Sequence, residues 1–343
     1  MIRVVVVDDS AFMRRQITQA LEMNKNICVV GEAKDPYDAR AVISREKPDV
    51  LTLDIEMPRM DGLTFLRKLV KHHPIPVVVC SSLTPGGSAV AMEALRTGAS
   101  EVIGKPMGAD DSMEFQIDLS RAVMAASFTK GTAPVSPPRQ PVAVASAGGK
   151  IVCVGASTGG AVAVEEILLA MPAACPPIVV AQHLPADFNT AYARKLNKAC
   201  AMHVREAQDG DSLERGVVLL APGEKHIVLV AKGSKVVVQL KSGPRIHQHR
   251  PSSDLLFRSA AQTLGQEAVG VILTGMGCDG ARGLLEMRQA GATTLAQGLA
   301  SCAVEGMPLA AKNAGAVERD VDLRAMPEAI LMAAGGRLIH GAD

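Results

Sequence analysis

Short β-branched runs alternate with stretches of helical spacing over almost the whole chain. That alternation is the signature of parallel sheets covered by helices. In the first part it predicts strands near 2–7, 27–31, 49–53, 75–80 and 100–103, with helices between them and a last helix over about 110–126. Five strands and five helices within about 125 residues match a doubly wound, flavodoxin-like domain. The second part opens with Ile151-Val152-Cys153-Val154 and predicts further strands near 177–181, 217–220, 226–230, 235–239, 269–273 and 293–296. Helices are expected over 160–171, 186–199, 253–265, 280–290 and 307–313, and a Gly-Glu-Lys turn between residues 220 and 230 suggests a local antiparallel hairpin. The expected fold class is α/β throughout: a flavodoxin-like domain plus a second doubly wound, mainly parallel α/β domain.

Between the two parts lies Thr129–Gly149, TKGTAPVSPPRQPVAVASAGG, where four Pro and three Gly leave no periodic apolar face to bury. It reads as a mobile linker. The expected division is 1–126, a flexible linker over 127–149, and 150–343. Composition then excludes several functions. Lys plus Arg number 36 against 35 Asp plus Glu, so a net charge of +1 offers no field for gripping a polyanion. Two Tyr, six Phe and no Trp do not supply the stacking platforms of a single-strand nucleic-acid binder. No apolar run reaches the ~18 residues of a membrane span, and the N-terminus lacks a signal-peptide layout. Seven cysteines without a Cys-x-x-Cys pair suit a reducing cytoplasm.

Ligands in open α/β sheets bind beyond the carboxyl ends of the strands. In the first part Asp8 and Asp9 follow the first strand, Asp54 the third, Ser81 the fourth and Lys105 the fifth. Clustered carboxylates repel one another, but they are hard oxygen ligands for Mg²⁺. The metal would help neutralise a phosphoryl group arriving on one carboxylate, with Ser81 and Lys105 on its oxygens. Taken alone, Asp8 and Asp9 could equally be a helix N-cap with a charge favourable to the dipole. The strings VVVVDDS (4–10), LDIEMPRMDG (53–62), PVVVCSS (76–82) and GKP (104–106) resemble the receiver domain of two-component response regulators over residues 1–125. That resemblance implies that Asp54 accepts phosphate from a histidine kinase and that Asp8, Asp9, Asp54 and the carbonyl of Glu56 hold Mg²⁺. It also implies a cis bond between Lys105 and Pro106, and an aromatic switch residue at the position that Val102 occupies instead.

In the second part Gly155-Ala156-Ser157-Thr158-Gly159-Gly160 follows an apolar strand and opens a helix. This is the strand–turn–helix setting of a Gly-x-Ser-x-Gly nucleophile, although such a turn can also be a plain cap or a passive phosphate site. A serine at its normal pKa needs a base. His183 lies just past the strand 177–181; taken singly it is an exposed loop histidine. An orienting carboxylate is also required. Asp279 follows the strand Val271-Ile272-Leu273 through Thr274-Gly275-Met276-Gly277-Cys278, where a simple N-cap is the alternative. His247 and His249 sit together in a polar loop, which suits solvation or weak metal binding better than catalysis.

The motifs GASTGG (155–160), QHLPADF (182–188), APGEKH (221–226), HRPSSDLLF (249–257) and LTGMGCDGARGL (273–284), in the order receiver, linker, esterase, resemble the chemotaxis protein-glutamate methylesterases of the CheB family. The resemblance implies hydrolysis of γ-glutamyl methyl esters on cytoplasmic helices of chemoreceptors, and deamidation of particular glutamines, with no cofactor for the esterase reaction. It implies Ser157 as nucleophile, His183 as base and Asp279 as its orienting acid. Met276 would lend its N–H to the oxyanion, with Thr158 supporting, and Arg250 and Ser253 would line a substrate groove. The unphosphorylated receiver would restrict access to the cleft. Two rivals remain in view: a phosphorylation-dependent scaffold that keeps an esterase fold without its activity, and a DNA-binding regulator, which lacks a basic stripe.

Overall fold

In the computed structural model, which describes residues 1–82, 85–106, 112–129, 141–146 and 148–338, the helices and strands alternate as the sequence pattern predicts. The chain divides into two compact units, Met1–Ser136 and Pro137–Asp343. In the first, the elements run β1 Ile2–Val7, α1 Ala11–Glu22, β2 Ile27–Ala33, α2 Pro36–Glu46, β3 Val50–Asp54, α3 Gly62–His72, β4 Val77–Ser81, α4 Pro85–Thr97, β5 Glu101–Gly104 and α5 Ser112–Ser127. The sheet order is β2-β1-β3-β4-β5, every pairing parallel. Val4 to Val7, Leu51, Leu53 and Val77 to Val79 are all buried, because these strands are covered on both faces. Helix entries carry their own signals: Ser10 accepts from the Met13 N–H, Asp35 from those of Tyr37 and Asp38, and Asp61 from that of Thr64.

In the second unit the order is β6 Val144–Ser146, β7 Ile151–Ala156, α6 Gly160–Leu169, β8 Ile178–Gln182, α7 Ala186–Ala199, β9 His203–Glu206, β10 Val217–Leu220, β11 His226–Lys232 and β12 Lys235–Lys241. There follow α8 Ser253–Leu264, β13 Ala268–Ile272, α9 Ala281–Gln289, β14 Thr293–Gln297, α10 Gly306–Asn313, β15 Arg319–Val321, α11 Met326–Ala333 and β16 Arg337–Leu338. Seven strands form one parallel sheet, β15-β14-β13-β7-β8-β10-β9. From β7 the chain winds one way through β8 and the other way through β13. The boundary between β7 and β13 is therefore the switch point at which doubly wound sheets open a crevice.

Three local expectations need correcting. The hairpin is not made at the Gly-Glu-Lys turn. It joins β11 to β12, paired from His226↔Lys241 to Lys232↔Lys235, while β10 lies in the parallel sheet. The cis peptide among the described residues precedes Pro251, not Pro106. The bond before Pro106 takes the trans form that X–Pro bonds ordinarily prefer. Residues 130–140 of the expected linker lie outside the described residues. Of its later part, Val142 donates to the Ala170 carbonyl at 2.8 Å and β6 pairs antiparallel with β16. Pro/Gly/Ala composition conceals a strand this short because its order comes from a partner more than 190 residues away.

Candidate active site and acidic pocket

Ser157 sits where β7 ends, and its main chain is pinned on both sides. Its N–H donates to the Thr274 carbonyl at 3.0 Å, and its own carbonyl accepts from the Gly160 N–H at 2.7 Å and from Gln182 Nε2 at 3.0 Å. All three bonds use the main chain, which leaves the hydroxyl out of the scaffold. The turn needs its glycines. Gly159 has φ +74°, and a Cβ on Gly160 would come within 2.7 Å of the Ala156 Cβ. Thr158 is buried, and its carbonyl lies 3.0 Å from the Thr274 hydroxyl.

His183 follows β8 and is buried rather than an exposed loop residue, its Nε2 2.9 Å from Asp279 Oδ2. Its Nδ1 is buried without a hydrogen-bond partner. The ring therefore presents one nitrogen to the acid and keeps the other for a proton. Asp279 is fully buried and does not cap its own helix; Gly280 holds that place at α9. It receives instead the Ser252 hydroxyl at 2.7 Å and the N–H groups of Ser253 at 2.6 Å and Asp254 at 3.3 Å, at the start of α8. Burial alone would raise its pKa. The hydrogen bond and charge of His183, then Ser252 and Ser253, outweigh burial and hold Asp279 well below the usual carboxylate range.

Beyond β13, Gly275 lies directly against the nucleophile: a Cβ there would be 2.7 Å from the Ser157 Cβ. Its N–H donates to Val304 at 3.0 Å and its carbonyl accepts from Met307 at 2.8 Å. Gly306 packs on the same backbone, where an added Cβ would fall 2.8 Å from the Gly277 nitrogen and 3.2 Å from the Met276 Cα. Gly275 thus lies against Ser157, and the Met276 main chain that follows it is backed by Gly306.

Two residues stand differently from their sequence-based reading. Ser253, expected in a substrate groove, is wholly buried against Gly155, and its N–H serves Asp279. Only a residue without a side chain fits opposite it. His249, read as a solvated loop histidine, is buried and stacks on His183 with ring centroids 3.7 Å apart and planes 14° from parallel. Nothing in its polar neighbourhood signalled this. The HRPSSD string that carries it also carries the helix start binding Asp279, and that was the available clue. Arg250 is half-buried, and its Nη1 donates to the Gly243 carbonyl at 2.9 Å.

In the first unit, carboxylate oxygens of Asp8, Asp9 and Asp54 lie within 4.8 Å of one another. Three hard donors so close suit a divalent cation. Lys105 Nζ bridges Asp8 and Asp54, 2.8 Å from each. Burial, reinforced by Asp8 and opposed by Lys105, raises the Asp54 pKa; Asp54 and Asp8 raise that of Lys105 against its own burial. The Glu56 N–H donates to Asp54 at 3.2 Å, and its side chain accepts from Ser82 at 3.2 Å. Ser81 is buried at the end of β4, its carbonyl taking the Lys105 N–H at 2.9 Å. Val102 is buried in β5.

Residues 152–330 match the family model "CheB methylesterase", and residues 4–115 match "Response regulator receiver domain". A relative from Anaeromyxobacter dehalogenans, named protein-glutamate methylesterase/protein-glutamine glutaminase 4, is 50% identical over 339 residues, covering 97% of this chain and 95% of that one. The chain belongs to the CheB methylesterase family. A second member, from Rhodospirillum rubrum and of the same name but numbered 2, is 46% identical and covers 97% and 98% of the two chains. The solved catalytic domain of the Thermotoga maritima CheB methylesterase superposes with a TM-score of 0.52 at 34% identity, covering 54% of this chain and 98% of that domain. The family therefore brings both halves, receiver and esterase, in the order found here.

Proposed function

We propose that this chain is a phosphorylation-regulated serine hydrolase that removes methyl groups from glutamate methyl esters of chemoreceptors and deamidates glutamines there. The observation that carries the reading is the buried His183–Asp279 pair at the carboxyl edge of the sheet, one imidazole nitrogen left over, beside a serine whose hydroxyl supports nothing else. Ser157 Oγ attacks the ester carbonyl while His183 Nδ1 takes its proton. The oxyanion that forms is met by the Met276 N–H, with Thr158 holding the loop. His183 returns the proton to the departing methoxide, and methanol leaves. Water then attacks the acyl-enzyme by the same relay, releasing glutamate. With a glutamine substrate the leaving group is ammonia. Asp279 keeps the imidazole in the tautomer whose Nδ1 accepts. Arg250 contacts the substrate helix.

Asp54 takes a phosphoryl group from a histidine kinase, and Lys105 and Ser81 receive its oxygens. Asp8, Asp9, Asp54 and the Glu56 carbonyl would hold Mg²⁺, which supplies charge neutralisation for the incoming group. Phosphorylation relieves restriction of the cleft by the receiver. The working boundaries are 1–126, 127–149 and 150–343. No helix among the described residues is long and apolar enough to cross a membrane, and the enzyme works in the cytoplasm on the receptors' internal helices. The test is methanol release from methylated receptor membranes with and without acetyl phosphate and Mg²⁺, beside Ser157→Ala. Release that rises with phosphodonor and vanishes in the variant is expected. A wild type that phosphorylates but releases nothing would leave a scaffold as the function.

A further inference from the structure

Of the two nitrogens of the His183 ring, only one is hydrogen-bonded. Nε2 is bonded to Asp279 at 2.9 Å, and Nδ1 has no partner. With Cγ tethered to the main chain, one hydrogen bond at Nε2 still permits rocking of the ring plane, which moves Nδ1. The flat contact with His249, at 3.7 Å and 14°, bears directly on that plane. His249 is itself firmly placed. It exchanges two main-chain bonds with Ile246, of 2.8 and 2.9 Å, across a turn in which His247 and Gln248 take positive φ of 48° and 67°. His247 is tied to Asp254, 3.2 Å away, and Asp254 in turn accepts the Gly283 N–H at 2.7 Å. Three residues past His249, the Ser252 hydroxyl binds the other Asp279 oxygen. One loop therefore grips the face of the base and the far side of its acid.

We propose that His249 is a positioning residue for His183: by stacking, it locks the imidazole plane so that Nδ1 stays aimed at the serine hydroxyl. This rests on reading Ser157, His183 and Asp279 as the triad. His249 acts through the ring and needs no proton of its own, so a phenyl group should replace it and a small amide should not.

The full chain would be compared as wild type, His249→Ala, His249→Phe and His249→Asn. Readouts are kcat and KM for methanol release from methylated receptor membranes, and ¹³C relaxation of the His183 ring beside its ¹⁵N spectrum. The alanine variant is expected to lose about ten- to a hundredfold in kcat with KM little changed, the scale set by small misplacements of a reacting group. Phenylalanine should recover most of the loss, and asparagine should behave like alanine. The ¹⁵N spectrum should show one tautomer, protonated at Nε2, in every variant because Asp279 sets it, whereas relaxation should show added ring motion in His249→Ala and little in wild type or His249→Phe. An alanine variant with kcat within about twofold of wild type overturns the proposal. So does rescue by asparagine but not phenylalanine, or unchanged His183 ring relaxation in His249→Ala. If alanine impairs folding, the phenylalanine–asparagine contrast still decides. If wild type releases no methanol while the His183 ring relaxation responds as expected, the esterase reading falls and the positioning role stands.

Discussion

At the scale of single residues, the two aspartates that matter most are buried for opposite purposes. Asp279 is held ionised by the hydroxyl and amides that begin α8, so it joins helix to imidazole. Asp279→Asn is expected to cut kcat by on the order of 10⁴, the loss seen when an orienting acid no longer fixes the tautomer. It should also destabilise the second unit by about 1–3 kcal/mol, because an amide cannot accept at both ends. Ser157→Ala should abolish turnover and leave Tm nearly unchanged, a contrast that calorimetry beside the methanol assay would show. Because the Asp279 pKa is lowered on folding, its contribution is complete above the ordinary aspartate value of about 3.9 and drains away as pH falls through the folded value. Resistance of the second unit to chemical denaturation should fall with acid in that window, and Asp279→Asn should flatten the trend. Asp54 runs the other way. Its raised pKa makes its cost appear as pH rises above the ordinary aspartate value, so Asp54→Asn should stabilise the metal-free first unit at neutral pH. Lys105→Met should destabilise it, since Asp8 and Asp54 then face each other unneutralised; the effect should shrink when Mg²⁺ is added. Thermal melts with and without the cation test both.

At the scale of elements, the site is a set of loops leaving parallel strands at one edge, and strand ends were the part most legible in the sequence. β-branched runs bounded by Gly, Asp or Ser located β1, β3, β7, β8 and β13, and the residues at or past their carboxyl ends supplied Asp54, Ser157, His183 and Asp279. Less legible was anything ordered by distant partners. β9, β15, β16 and β6 are two to four residues long and exist because a neighbouring strand offers its edge. The hairpin was placed one turn early because Gly223-Glu224-Lys225 has turn composition, whereas the reversal occurs at Gly233-Ser234, between strands in continuous register. His249 was misjudged because polarity of sequence neighbours says nothing about which ring lies overhead. Glycines at the strand ends give this scale its prediction. Gly275→Ala would press on the Ser157 Cβ, 2.7 Å from the added methyl, and on Met307. It is expected to lower kcat by about a hundredfold, with a loss of about 1–3 kcal/mol in stability.

At the scale of the whole molecule, two α/β units on one chain divide the work between receiving a phosphoryl group and hydrolysing an ester. Asp54→Asn should abolish stimulation by acetyl phosphate while methanol release without phosphodonor persists. A fragment of residues 141–343, which retains β6 and its pairing with β16, should release methanol without any phosphodonor. Full responsiveness in Asp54→Asn would separate control from the acidic pocket. Asp279 has one further consequence, which concerns descent. The carboxylate is a structural member of α8's beginning, whereas the Ser157 hydroxyl holds nothing up. A lineage that kept this fold as a scaffold and let catalysis lapse would therefore lose the serine early and keep the aspartate long. Among inactive descendants the vacant nucleophile, rather than a broken acid, should be the mark of retirement.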